Sequence, residues 1–98
     1  MKFNQWSTNR ILAGKKTLTS RTKRYENDPD VSLIFGPLPW GFIKTYLYRG
    51  EGAESPEELQ RVINQIFRRA VSDDRLFYVH VIDVYSLTER WAKGKDEQ

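Results

Sequence analysis

A chain of 98 residues has room for one domain with a modest core, and no stretch of about 18 residues is apolar enough to span a membrane. It contains no cysteine and one histidine, His80, which excludes disulfides, thiolate metal sites and zinc sites built on several imidazoles. Residues 1–25 carry seven Lys or Arg and no acid, whereas the rest carries nine against thirteen Asp or Glu. The first quarter is therefore +7 and the remainder −4, for a net charge of +3.

This basic quarter has two explanations. The cations can attract an anionic partner, such as RNA or a phosphorylated small molecule, or they can form a solvated surface without a partner. No charged segment followed by an apolar run opens the sequence, so no secretory signal is visible. We therefore expect a cytoplasmic protein with no membrane partner.

The first predicted element is a short helix that ends just before the lysines. Asn4 or Ser7 can cap it, and Trp6, Ile11 and Leu12 would face inward. Gly14 suits the left-handed position just beyond a helix end. The basic stretch therefore begins where this helix stops.

A short strand is predicted over residues 17–22, because "TLTSRT" alternates and is rich in β-branched side chains. The alternation puts Leu18 on one face and Thr19 and Arg21 on the other. We therefore expect the Thr19 hydroxyl and the Arg21 guanidinium to point the same way.

Two further strands are predicted in the middle of the chain. "VSLIF" at 31–35 is typical of a strand, and the two prolines of "GPLPW" are expected to end it. In "GFIKTYLYR" at 41–49 the residues alternate as in a sheet that is partly exposed on one side.

The clearest element is a helix in residues 55–70. Ser55 is the predicted N-cap, Pro56 the first helical residue and Glu58 the third, which together make a capping box. Apolar side chains at helical spacing form one stripe for packing on the sheet: Leu59, Val62, Ile63, Ile66, Phe67 and Ala70.

The last quarter is predicted to be a strand followed by a tail. "LFYVHVIDVYSL" at 76–87 is apolar on both faces, which indicates a central or barrel-closing strand, with the ring of His80 hydrogen-bonded locally. Residues 88–98 are expected to form a polar tail that starts with a helical turn around Trp91 and is flexible from about residue 92.

This order of elements predicts a single α+β domain over residues 1–98, with two helices packed on about five short strands. Short strands protect their edges best when the sheet closes on itself, so we expect a small, barrel-like sheet.

Three polar residues of the basic stretch, Lys16, Thr19 and Arg21, are close enough in sequence to reach one pocket. A desolvated lysine near other cations has a lowered pKa, which would let Lys16 act as a base toward the Thr19 hydroxyl. Glu51, in the loop "RGEGAES", is the carboxylate best placed to pass a proton to a leaving group. By spacing alone, the same residues are more readily explained as unconnected surface groups.

The stretch "ILAGKKTLTSR" resembles the signature of the ASCH domain family, a branch of the PUA-like fold, whose hallmark is G-x-K-x-x-T-x-R after the first helix. Gly14, Lys16, Thr19 and Arg21 match every fixed position. "ELQRVINQIF" and "FYVHVIDV" are similar to the second helix and the closing strand of small bacterial members that hydrolyse N4-acetylcytidine. The resemblance implies a PUA-like β-barrel and an RNA or modified nucleoside as ligand.

In those amidohydrolases the motif lysine accepts a proton, the motif threonine is the nucleophile, and a glutamate before the second helix donates a proton. The resemblance assigns these roles to Lys16, Thr19 and Glu51, with Glu54 as the alternative acid. Thr19 would attack the acetyl carbonyl, and water would hydrolyse the acyl-enzyme after cytidine departs. The resemblance implies no metal and no other cofactor.

The ligand-binding residues expected around this site are basic or aromatic: Lys15, Arg21, Lys23, Arg24 and Trp40. Trp40 could stack on a base or could fill the end of the barrel. The segment from Arg21 to Glu51 is shorter than in those enzymes and lacks their "GD" turn, so one wall of the pocket is expected to differ.

Three functions are compatible with these residues. The chain could bind RNA or a nucleoside without catalysis, hydrolyse an acetylated cytidine, or act as a small ribonuclease. The motif does not distinguish these three functions, because members of the family use the same set of residues for all of them.

Overall fold

The computed structural model describes residues 1–96, which form four helices and three strands. In chain order the elements are α1 (Gln5–Leu12), β1 (Leu18–Arg21), β2 (Val31–Pro39), α2 (Trp40–Tyr46), α3 (Pro56–Phe67), β3 (Leu76–Ile82) and α4 (Val84–Asp96). None of these helices is both long and apolar enough to cross a membrane.

The sheet is open and antiparallel, in the order β1-β3-β2. Thr19 lies opposite His80 on one side of β3, and Leu38 lies opposite Phe77 on the other. The α+β class and the central position of the last strand are thus confirmed. The described residues contain three strands and not five, and β1 and β2 are the two edges of the sheet, so no barrel closes.

The prediction of a strand at 41–49 was wrong, because residues 41–46 belong to helix α2 and residues 47–49 form a turn after it. Trp40 and Ile43 are both buried, three residues apart on one face of α2, whereas Phe42 and Tyr46 are exposed and their rings lie 5.0 Å apart. Spacings of three and four residues are those of a helix face. The segment is so short that its residues also fit the two-residue alternation of a strand, which is why the sequence pattern predicted one.

The prolines of "GPLPW" do not end β2, which runs on to Pro39. The strand is an edge strand, and its pairing with β3 is irregular between Phe35 and Leu38. Proline is tolerated at edges and bulges because no ladder hydrogen bond is required of its nitrogen there. The prediction that the strand stops at residue 35 was therefore wrong.

The capping residues predicted the start of α3 correctly. The Ser55 hydroxyl accepts a hydrogen bond from the Glu58 backbone N–H at 3.1 Å, and Pro56 is the first helical residue. The Glu58 carboxylate accepts from the N–H of Glu54 at 2.8 Å rather than from that of Ser55. The helix ends at Phe67, because Arg68 adopts a left-handed conformation, with φ of 58°.

The strand predicted to reach residue 87 ends at Ile82, since Asp83 starts a helix. One oxygen of the Asp83 carboxylate accepts from the Ser86 N–H at 3.2 Å and the other from its hydroxyl at 3.0 Å. The polar tail expected after residue 88 is helical as far as Asp96. Residues 97 and 98 lie outside the described residues.

Two apolar clusters hold the elements together. The larger one packs α2 and α3 on β3 through Trp40, Ile43, Leu59, Ile63, Phe77 and Val79. The smaller one joins α1 and α4 to the end of β3 through Ile11, Ile82 and Leu87. Because side chains alternate along a strand, Val79 and Ile82 lie on opposite faces of the sheet. The sheet is therefore covered by helices on both sides.

Candidate functional site

A pocket of about 280 Å³ lies where α1, β1 and α3 meet. Five of the predicted site residues line it: Lys16, Thr19, Arg21, Trp40 and Glu51. Most of the remaining wall is apolar and comes from Phe3, Trp6, Leu59, Val62, Ile63, Ile66 and Phe67. The basic stretch and the loop of Glu51, which are far apart in sequence, therefore line the same pocket, as expected.

The loop that carries Glu51 is attached directly to the start of β1. The backbone N–H groups of Thr17 and Leu18 both donate to the carbonyl of Gly50, at 2.8 and 2.9 Å, and Lys16 pairs with Glu51 in an isolated antiparallel bridge. Gly52 has φ of 97°, and a Cβ there would lie 2.9 Å from Cβ of Lys16. Only glycine permits this close approach, since any side chain would push the loop away.

Lys16 and Glu51 form a buried ion pair. The lysine is only 3% exposed, and its Nζ donates to Oε1 of Glu51 at 3.1 Å and to the Glu51 backbone carbonyl at 3.0 Å. Burial lowers the pKa of Lys16 from its ordinary value of 10.5, and the negative charge of Glu51 opposes that shift. Lys16 thus gives up its proton more readily than a surface lysine.

Ser20 is a member of this cluster that the sequence analysis missed. Its hydroxyl donates to Oε2 of Glu51, so each carboxylate oxygen has a partner, Lys16 on Oε1 and Ser20 on Oε2. Strand alternation could have revealed it, because Ser20 shares the face of Leu18, and Leu18 packs against the core near this loop. The family motif directs attention to Thr19 on the opposite face.

Thr19 and Arg21 do point the same way, as predicted. Nε of Arg21 donates to the Thr19 hydroxyl at 3.3 Å, and Nη2 donates to the carbonyl of Lys2 at 2.7 Å. The guanidinium also lies 5.2 Å from the centre of the Phe3 ring and 5.7 Å from that of Tyr25. Arg21 is therefore held at the pocket by an aromatic ring on either side.

His80 is fully buried and hydrogen-bonded locally, as expected. Its Nε2 accepts from the Tyr25 backbone N–H at 3.1 Å, so the ring proton is on Nδ1, which donates to the carbonyl of Tyr78 at 3.1 Å. Burial lowers the pKa of His80 below 6.5. The ring is a neutral structural group that supports Tyr25 beside the pocket.

The other three cations that were expected to bind the ligand each contact a neighbouring side chain. Lys15 pairs with Glu54 at 3.3 Å, Arg24 pairs with Glu26 at 2.7 Å, and Lys23 lies over the Tyr25 ring. None of these three cations lines the pocket.

Trp40 contributes to the pocket floor but is a core residue. Its ring has no exposed surface, packs at 5.4 Å from that of Phe77, and donates from Nε1 to the Gln60 amide oxygen at 2.9 Å. A base has no exposed face of this ring to stack on, so of the two expected roles for Trp40 the structure favours filling the interior over stacking on a ligand.

Glu54, the alternative acid, lies outside the pocket lining. Its side chain is exposed and lies between Arg10 and Lys15, at 3.5 and 3.3 Å. Of the two glutamates, Glu51 is the one in contact with Lys16.

Among the side chains of residues 1–94 no group of three or more His, Asp or Glu could hold a metal ion. No protein-family model, curated protein or solved structure matches this chain.

Proposed function

We propose that the pocket binds a modified nucleoside and that Lys16 and Glu51 catalyse hydrolysis of an amide on its base. The observation that carries this proposal is the buried contact between Lys16 and Glu51, 35 residues apart, in a pocket that Thr19 and Arg21 also line. Perturbed, paired ionisable groups in a cleft are a common feature of catalytic sites. The resemblance to the ASCH family names the substrate, N4-acetylcytidine.

The proposal includes membership of that family, in a cytoplasmic form whose PUA-like barrel is reduced to an open sheet. Its support is local: α1 ends at Leu12, Gly14 follows with φ of 74°, and Lys16 precedes β1, which carries Thr19 and Arg21. The shorter middle of the chain accounts for the missing strands.

The size and lining of the pocket favour a single nucleoside over an oligonucleotide. A volume of about 280 Å³ is at the lower end of the range for small-molecule sites. An apolar wall with a few convergent polar groups is typical of pockets that bury a flat ring and orient its edge. Arg21 is available to orient a polar or anionic part of the ligand.

The proposed proton transfers follow from the Lys16–Glu51 pair. The lowered pKa of Lys16 raises the fraction of neutral amine that can take a proton from an attacking hydroxyl. The resemblance assigns the attack to Thr19 and assigns proton donation to the departing N4 to Glu51. Acetate and cytidine would be the products, with one water consumed.

The decisive experiment is a turnover assay that measures cytidine release from N4-acetylcytidine by chromatography. Lys16→Met and Glu51→Gln should each lower turnover by about 100-fold or more, since general acid–base groups contribute about 10²–10⁴ in rate. Lys15→Met and Glu54→Gln are matched controls from the same two segments and should stay within about twofold. Absence of release by the wild type from about pH 6 to 10 would refute the proposal for this substrate.

RNA binding without catalysis is a second candidate, favoured by the cations that surround Tyr25. Arg21 and Lys23 lie 5.7 and 5.6 Å from the centre of its ring, and cations grouped with an aromatic ring are typical of sites that bind single-stranded RNA. Against it, Lys15 and Arg24 are already paired with carboxylates. Affinity for a labelled single-stranded RNA should fall steeply with salt if this candidate is correct. Cleavage of the same RNA would instead support a ribonuclease.

A further inference from the structure

Ser20 occupies the place in this pocket that an activated hydroxyl requires. It lies on β1 between Thr19 and Arg21, is half-buried and lines the pocket. Its hydroxyl donates to Oε2 of Glu51, whose Oε1 accepts from Lys16 at 3.1 Å. A nucleophile in contact with a base, which is itself oriented by a third group, is the arrangement that activates serine and threonine in covalent catalysis.

From this geometry we infer that Ser20, and not Thr19, is the nucleophile, with Glu51 as its base and Lys16 as the residue that holds Glu51. This inference rests on the proposed amide hydrolysis in the same pocket. It changes the assignment of the attacking atom that the family resemblance implies.

The surroundings of Thr19 are unsuited to attack. Thr19 is only 5% exposed, and its oxygen accepts a hydrogen bond from Nε of Arg21 at 3.3 Å. A guanidinium has donors only and keeps its charge, so it cannot take the threonine proton. Within residues 1–94 this hydroxyl makes no hydrogen bond with a carboxylate or an amine, and Glu51 is hydrogen-bonded to Lys16 and to Ser20 instead. Thr19 therefore has a partner that fixes it but no base.

The reaction balances with Ser20 in this role. The Oγ of Ser20 attacks the acetyl carbon while its proton passes to Glu51, and a C–O bond forms. The C–N bond then breaks as Glu51 returns the proton to N4, which leaves as the amine of cytidine, and the acetyl group remains as an ester on Ser20. Water attacks the ester with loss of a proton to Glu51, acetate departs, and Ser20 regains its proton.

The test traps the acetyl group on the enzyme. The full chain is incubated with p-nitrophenyl acetate, an activated ester that does not depend on nucleoside recognition, then quenched in acid, digested and analysed by mass spectrometry. We expect acetylation at Ser20, none at residue 20 in Ser20→Ala, and acetylation of the new thiol in Ser20→Cys. Ser32→Ala removes a serine hydroxyl on β2, outside the pocket, and should leave labelling unchanged. Acetylation at Thr19, or at neither residue, would overturn the inference.

A second readout separates this inference from the proposed function. If Ser20 is acetylated but no cytidine is released from N4-acetylcytidine, the proposed substrate is wrong and the nucleophile assignment stands. If cytidine is released and Ser20→Ala stays within about twofold of the wild type, the assignment fails and the proposed function stands. We expect Ser20→Ala to reduce release by about 100-fold or more and Thr19→Val to reduce it less.

Discussion

Two lysine–glutamate pairs join the same two segments of this chain but lie in opposite environments. Lys16 contacts Glu51 at 3.1 Å with the two side chains 4% and 5% exposed, whereas Lys15 contacts Glu54 at 3.3 Å with side chains 54% and 68% exposed. The residue types and distances are nearly equal. The two pairs differ in burial, which lowers the pKa of Lys16 in the pocket.

The comparison also explains the uneven charge of the sequence. Arg10, Lys15 and Lys16, from the basic first quarter, all pair with glutamates at residues 51–58. Much of the positive charge of the first quarter is therefore paired within the molecule. These ion pairs hold α1 and the start of β1 against the loop before α3 and the first turn of α3. A run of like charge in a sequence need not indicate an external partner.

The largest expected effect is the loss of stability when the buried pair is broken. Glu51→Ala leaves the Lys16 ammonium without its partner and should lower the free energy of unfolding by about 3–5 kcal/mol. Glu54→Ala removes an exposed partner and should cost less than about 1 kcal/mol. Urea unfolding followed by circular dichroism measures both. Equal losses in the two variants would contradict the contrast between the pairs.

Removing both charges of the buried pair should be much less harmful than removing one. The double variant Lys16→Met/Glu51→Leu has no buried charge to desolvate, so its free energy of unfolding should recover to within about 2 kcal/mol of the wild type. Turnover should nevertheless be lost. A stability loss equal to the sum of the two single variants would show that the two side chains do not interact.

The pH dependence of stability tests the buried lysine directly. Because the pKa of Lys16 is lowered by burial, the folded chain binds fewer protons at this site than the unfolded chain at any pH between that lowered pKa and 10.5. The stability of the wild type relative to Lys16→Met should therefore rise as the pH is raised through the alkaline range toward 10.5. Thermal or urea unfolding of both proteins across that range measures the difference. A flat difference would indicate an unshifted lysine.

The smallest effect is expected at the exposed pair. Lys15→Ala should change the free energy of unfolding by less than about 1 kcal/mol at low salt, and the difference should vanish near 1 M NaCl, where the Debye length is about 3 Å. The effect of Glu51→Ala should persist in the same salt because buried charges are screened much less. A salt-independent loss in Lys15→Ala would mean that this pair, too, is shielded from solvent.

Features that depend on neighbouring residues could be predicted from the sequence. The capping residues and apolar period of α3, the left-handed Gly14 and the common face of Thr19 and Arg21 all arise within a few residues along the chain. The helical period of α2 was misread because Phe42, Lys44 and Tyr46 also satisfy a strand alternation over so short a segment.

Local sequence patterns are enough to predict the α+β class, the position of α3 and the common face of Thr19 and Arg21, since propensity, capping and side-chain period depend on residues close together in the chain. Long-range packing is what leaves the sheet open, buries Trp40 and brings Ser20, Glu51 and Lys16 into one hydrogen-bonded cluster. These features do not follow from local patterns, because the partner of a buried polar group depends on how a distant loop docks. Here that docking rests on backbone hydrogen bonds from Thr17 and Leu18 to Gly50, and on the space left by Gly52.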